Sequence, residues 1–423
     1  MKRVLPLSLT ALLACHFSVA AENWPDYRGP THNGHTSTSS LPLEWSEKKN
    51  VTWKTAIHGR AWSSPVIWGS QIWLTTATPD GKELSGICVN KDTGKIIYDK
   101  ILFRIPKPQF AHKFNSYASP SPVIEEGYIY LHWGSPGTAC IDTRTMKTIW
   151  TRPDFVCDHF RGAGSSPLIY NNLVVLTMDG ADHQYVVALD KKTGKTAWRT
   201  DRSTDFKDLD ANGKPKRGGD WRKCYATPIV VNVGGRDLLV SPGARAALAY
   251  DPLTGEEIWK FRYNNHSSAS RTVFANGLLY INSGYSVAEL FAVRPDGKGD
   301  ITDTNTVWGT SGSNIPKKPA PILHDGLLYL CSDSGIATCL EANTGKEVWK
   351  ARIGGNYSSA LLRHKDRIYA LSEDGKCTVF ATGRSYRMLS ENKLPDGFMA
   401  SPAVSGNAIF LRTKTHLYRI DQG

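Results

Sequence analysis

Several routes to function are missing from this chain. Its eight cysteines include no adjacent pair and no C-x-x-C spacing, so neither a zinc knuckle nor a c-type haem attachment is expected. No G-x-S-x-G elbow and no Walker loop occurs, which removes those two catalytic and phosphate-binding devices. Charged residues are only 21% of 423, against 40% hydrophobic, so the chain can bury a large core and carries no long disordered tract. No apolar run long enough to span a membrane follows residue 21. Glycine and proline are present, but in short clusters between β-rich runs.

The first residues differ from the rest. Lys2 and Arg3 precede an apolar run from Val4 to Ala14, followed by "HFSVAAEN". This reads as a secretory signal cleaved near Ala21. "LLAC" at 12–15 resembles a lipoprotein cleavage box, but Leu13 suits it poorly, so ordinary cleavage is preferred to anchoring at Cys15. The mature protein is expected to be secreted or periplasmic. The net charge of +12 is a moderate basic lean that suits an acidic partner or a merely soluble surface.

What is present is repetition. "LDKKTGKTAW" at 189–198 returns as "YDPLTGEEIW" at 250–259 and "LEANTGKEVW" at 340–349, with looser copies "VNKDTGKIIY" at 89–98 and "IDTRTMKTIW" at 141–150. Each places an Asp, Glu or Asn eight residues before a Trp or Tyr. A second phrase, small residues before an aliphatic pair, occurs eight times, from "SSPVI" at 63–67 to "ASPAV" at 400–404. Four short strands per unit at this spacing define propeller blades. The Asp caps a turn, the Gly supplies positive φ, and the indole fills the wedge between blades. The eighth unit ends at "HLYRID" without a fourth strand, and "VTWKTAI" at 51–57 matches "EVWKARI" at 347–353. The expected fold is therefore an all-β, eight-bladed propeller of four-stranded antiparallel blades, closed by the N-terminal strand. It occupies residues 50–423 as one domain, after a signal (1–21) and an N-terminal extension (22–49).

The A-x-D-x-x-T-G-x-x-x-W core, as in Ala188 to Trp198, resembles the pyrroloquinoline-quinone-like (PQQ-like) propeller repeat. "WPDYRGPTHNG" at 24–34 and "RPDGKGDITDTNTVW" at 294–308 resemble a group of secreted bacterial proteins with that repeat. The resemblance implies fold more than function, because the repeat serves quinoprotein dehydrogenases, envelope assembly factors and other proteins. Dehydrogenases of this kind have longer chains, a disulfide between adjacent cysteines and a calcium site. With those lacking, no quinone with calcium and no other cofactor or metal is expected. "DGADH" at 179–183 reads as a turn and not as metal ligands, and "DGKGDI" at 296–301 as a solvated loop.

Connections entering the inner strands share a face with the turns between second and third strands. Two long insertions, 101–118 and 201–226, lie on that face. It gathers the cations Arg60, Lys113, Arg161, Lys223, Arg245 and Lys317, which are the candidate ligand-binding residues. The residue types that a uronate lyase needs are supplied by His112, Tyr117, His159, Arg161, Arg222, His266 and Tyr357. Trp62 and Trp221 lie in loops, free of the wedges. Carboxylates near the inner strands are few, with Asp158 and Asp220 the main ones, which argues against a two-carboxylate glycosidase. Cys331 and Cys339 flank one hairpin, and their pairing stays open.

Two readings follow. The first is a binding or scaffolding propeller of the cell envelope, with a protein partner or an anionic glycan, working as a monomer. The second is a secreted enzyme on acidic polysaccharides. Nucleic acid is not an expected partner.

Overall fold

The computed structural model describes residues 23–422, so the signal segment and Cys15 lie outside the described residues. Eight four-stranded antiparallel blades stand in a ring. Blade 1 runs from Val66–Trp68 to Ile96–Arg104, blade 2 from Val123–Glu125 to Lys147–Arg152, and blade 3 from Leu168–Tyr170 to Thr196–Asp201. Blade 4 spans Ile229–Val233 to Glu257–Arg262, blade 5 Val273–Ala275 to Thr306–Ser311, blade 6 Ile322–His324 to Glu347–Arg352, and blade 7 Leu362–His364 to Met388–Lys393. Blade 8 takes its three inner strands from Ala403–Ser405, Ala408–Arg412 and His416–Ile420, with Val51–Ala56 as its outermost strand. The register sets Lys54 opposite Tyr418 and Trp53 opposite Arg419.

The repeated Trp and Gly prove to be one joint. Trp150 donates its indole N–H to the Lys191 carbonyl of the next blade's turn (3.0 Å), and Trp198, Trp308 and Trp349 do the same to Pro252, Ala342 and Gly383. Trp53 makes the equivalent bond to Lys91 (3.0 Å). In the receiving turn Asp190 Oδ1 accepts from the Thr193 amide (2.8 Å). Gly194 sits at φ +71°, and a Cβ there would stand 2.7 Å from the Trp150 ring. The one repeat copy without glycine has Met146 at φ 57°, and Met146 packs against the cluster that holds Tyr98, which stands where the other copies have an indole. Gly194→Ala is expected to cost at least ~1–2 kcal/mol from the left-handed backbone alone, plus the displaced indole, whereas Met146→Gly should be far milder. Comparison of the two urea midpoints checks this.

A second seam joins the blades at the hub. The Ser64 amide donates to Ser121 Oγ (2.8 Å), Ser121 to Ser166 Oγ (2.9 Å), and Ser166 to Thr227 Oγ1 (3.0 Å). On the other side Ala360 donates to Ser401 Oγ and Ser401 to Ser64 Oγ. Small hydroxyl residues thus let the inner strands approach while supplying a partner for each buried amide.

The N-terminal extension is structural. Trp24 pairs with Ile67, and the Ile124 amide donates to the Pro25 carbonyl. Arg28 donates to the Leu361 and Pro321 carbonyls (2.9 and 2.6 Å), and Arg271 donates to Asp26 (2.7 Å). All these partners lie further along the inner strands than the hydroxyl seam, so Trp24–Arg28 crosses the hub beneath it. Two other segments differ from the sequence reading. Gly299–Asp300 adds a parallel strand to the outer edge of blade 4 and buries Ile301, because that edge would otherwise stay open. Asp179 is no turn residue: it is fully buried in a two-point pair with Arg202 (2.6 and 2.9 Å).

Candidate functional site

The crossing segment turns the hub into a blind funnel of about 520 Å³, open on the insertion face. Tyr27 reaches it from below. Ser64, Ser121, Ser166, Thr227 and Ser401 form its waist. Trp62, Phe114, Tyr225 and Tyr285 supply aromatic wall, Arg161, Lys223, Lys317 and Lys318 supply cationic groups, and His112 adds an imidazole. His112 and Phe114 come from the insertion at 101–118, and Lys223 and Tyr225 from that at 201–226. Both insertions therefore shape the mouth.

The cations are not equivalent. Lys318 is committed to Glu373 (3.0 Å) and Asp333 (3.5 Å). Lys223 is buried against the Asp220 carboxylate and donates to the Asp220 carbonyl (2.9 Å). Burial and nearby Arg161 pull the Lys223 pKa down, to about 7, against the Asp220 contact, which favours the ammonium. Among the described residues, neither Arg161 nor Lys317 has a carboxylate within ion-pair distance. They enter from the blade 2–3 and blade 5–6 connections, three blades apart in the ring of eight.

The other sequence-derived candidates are dispersed. His159 is buried with Nε2 accepting from the Ser135 amide (2.9 Å), and burial lowers its pKa to about 4. Tyr357 is wholly buried under the blade 6–7 connection, its hydroxyl pushed up by burial. Arg222 is held by Asp208 at both ends of its guanidinium (2.7 and 3.0 Å) and lies over Phe206. Arg245 lies over Trp221, 5.4 Å from the ring centre. His266 packs on Tyr285, and burial with Lys223 and Arg245 lowers its pKa to about 4. Arg60, Lys113 and Tyr117 line a separate crevice, which meets the funnel at His112. Burial, Arg161 and Lys113 all lower the His112 pKa. Of the lyase candidates, His112 and Arg161 alone line the funnel. The sequence reading did not include Tyr27, Phe114, Tyr285 or Lys318 in its site, whereas Tyr225, expected near the channel mouth, does line the funnel. For Tyr27 the motif at 24–34 was a signal, but only of kinship.

All seven cysteines of the described residues are buried and free. The register sets Cys331 opposite Ala337 and Cys339 opposite Tyr329, so the two thiols do not face each other.

These features define a PQQ-like repeat propeller with a closed central funnel. The chain matches the family model described as "Outer membrane protein assembly factor BamB" over residues 69–220 and 243–423, and it belongs to that family. Among solved structures it is similar to BamB from Moraxella catarrhalis, at 13% identity and a TM-score of 0.59, covering 88% of this chain and 99% of that one. It is also similar to a europium-containing methanol dehydrogenase, at 13% identity and a TM-score of 0.56, covering 93% and 90%. Likeness at this identity shows the fold alone. A 1-butanol dehydrogenase (quinone) from Thauera butanivorans is 33% identical over 158 residues, 32% of this chain. The match spans only 22% of that enzyme's length.

Proposed function

We propose that this chain is a binding propeller of the bacterial cell envelope, whose funnel takes an anionic, hydroxyl-bearing ligand. The observation that carries this is a blind cavity with two cations, Arg161 and Lys317, that have no carboxylate partner among the described residues. Cations in a partly dry concavity attract anions strongly, and aromatic walls with hydroxyls suit a sugar ring. The envelope assignment rests on the N-terminal signal reading and on the assembly factor that gives the family its name. No helix among the described residues is long and apolar enough to cross a membrane.

A quinone with calcium does not fit this donor set. Asp333 is the one carboxylate among the lining residues, and the Lys317 amide (2.8 Å) and the Lys318 ammonium already occupy it. Calcium takes six to eight oxygen ligands. The lyase reading also has less support than binding. Of its candidate groups, His159, Arg222 and Tyr357 are engaged or buried away from the funnel.

One observation favours a protein partner as a second reading. Phe110, Val156, Leu209, Tyr285 and Val287 are exposed on loops of the insertion face, where an apolar rim would suit a docking surface.

Equilibrium binding to neutral and acidic oligosaccharides tests the first reading. Acidic members should bind, and affinity should fall steeply with added salt, while neutral members bind weakly or not at all. Equal binding of neutral and acidic members, or binding indifferent to salt, would sink the ligand assignment.

A further inference from the structure

We propose that the ligand is a linear polyanionic saccharide longer than the funnel, running out over His112 into a second, cationic subsite at Arg60 and Lys113. This rests on the funnel reading above. A crevice of about 90 Å³ adjoins the funnel, and His112 and Asn115 belong to the walls of both. Arg60, Lys113 and Tyr117 line it, with no carboxylate among its lining residues. Among the described residues neither Arg60 nor Lys113 is in an ion pair.

The ridge between the two cavities is built for a ring. Trp62 lines the funnel with its indole N–H held by the Phe114 carbonyl (3.0 Å), which fixes the orientation of the ring. The Arg60 guanidinium lies 5.2 Å from the centre of that ring and donates to the Lys113 carbonyl. Arg60 therefore ties the aromatic platform of the funnel to the crevice. Moving outward, a ligand meets Arg161 and the Trp62 platform in the funnel, His112 at the shared wall, and then Arg60 with Lys113 in the crevice. A chain of pyranoses with an acidic group on successive rings presents apolar ring faces and separated anions in the same alternation. The wall from Ala111 to Tyr117 belongs to the insertion at 101–118, and Tyr117 packs across the Gly81 turn that forms the other side. That insertion is what makes the second subsite.

The test compares a disaccharide with a longer oligomer, in a uronate series and a sulfated series, against wild-type protein, Arg60→Ala and Lys317→Ala. Wild type should bind the longer oligomer about tenfold more tightly than the disaccharide, as one extra charge-assisted contact gives. Arg60→Ala should lose that increment and keep the disaccharide affinity, whereas Lys317→Ala should weaken both. Affinity independent of length, or Arg60→Ala binding the longer oligomer as wild type does, overturns the second subsite while leaving the funnel standing. Loss of both lengths on Arg60→Ala also overturns it, since Arg60 would then serve the funnel. Disaccharide binding unaffected by Lys317→Ala, or no binding in either series, overturns the funnel reading itself. Polyglutamate bound as tightly as the saccharides, with the same dependence on Arg60, replaces the sugar by an acidic peptide and refutes the assignment.

Discussion

Asp26→Ala is expected to destabilise the folded chain by about 3–5 kcal/mol, the cost of leaving a buried charge without its partner. Asp26 Oδ2 accepts from Arg271 (2.7 Å) and lies 2.5 Å from His32 Nδ1, while Oδ1 accepts from the Arg28 amide (2.6 Å). Arg271 is 1% exposed, so water cannot replace the lost carboxylate. The loss should appear as a lowered urea midpoint, with the funnel floor loosened because Tyr27 follows Asp26 directly. Burial by itself would raise the Asp26 pKa, yet Arg271 and His32 hold it well below the carboxylate range. A depressed folded pKa contributes stability above the unfolded carboxylate value of about 3.9, lost as pH falls through the folded value. Wild type should therefore lose stability in acid more steeply than Asp26→Asn. Identical acid profiles and midpoints would show that Asp26 does not secure the hub.

The second large effect concerns binding. Arg161→Ala and Lys317→Ala should each weaken an anionic ligand by about 1.5–3 kcal/mol, the range for hydrogen bonds to charged groups. The residues stand three blades apart and share no partner, so their effects should add and the double variant should bind at least about a hundredfold more weakly. Stability should hardly change, because neither side chain has a carboxylate partner to lose among the described residues. Calorimetric titration with an acidic oligosaccharide, beside melting curves, separates the two effects. A double variant that binds as wild type does would remove the funnel from the function.

Much of the fold was legible because its determinants are local in sequence. Asp190, Gly194 and Trp198 lie within nine residues, and each states one physical requirement: a capped turn, a positive φ and a wedge. Their number and spacing imply the ring. The coupling of Trp150 to Gly194 was less visible, since its two halves belong to different repeat copies. The copy with Tyr98 and Met146 was the clue, as aromatic and turn residue change together.

The site was legible in kind but not in membership. The cationic and aromatic character of the insertion face could be read, since both insertions carry it. Which cations remain without a partner could not. Arg222 meets Asp208, and Lys318 meets Glu373, fourteen and fifty-five residues apart respectively. His159 and Tyr357 occupy connections that reach the mouth face, yet packing turns both inward.

The sequence by itself determined the repeat, the turn chemistry and the crowding of small residues at the hub, because each is decided by contacts within a blade or by a backbone angle. The tertiary structure decided that the hub is closed. The hydrogen bonds that tie residues 24–28 to the ring form only once inner-strand segments from five separate blades stand around them, as Ile67, Ile124, Arg271, Pro321 and Leu361 do. That long-range closure converts an open channel into a blind, cation-lined funnel.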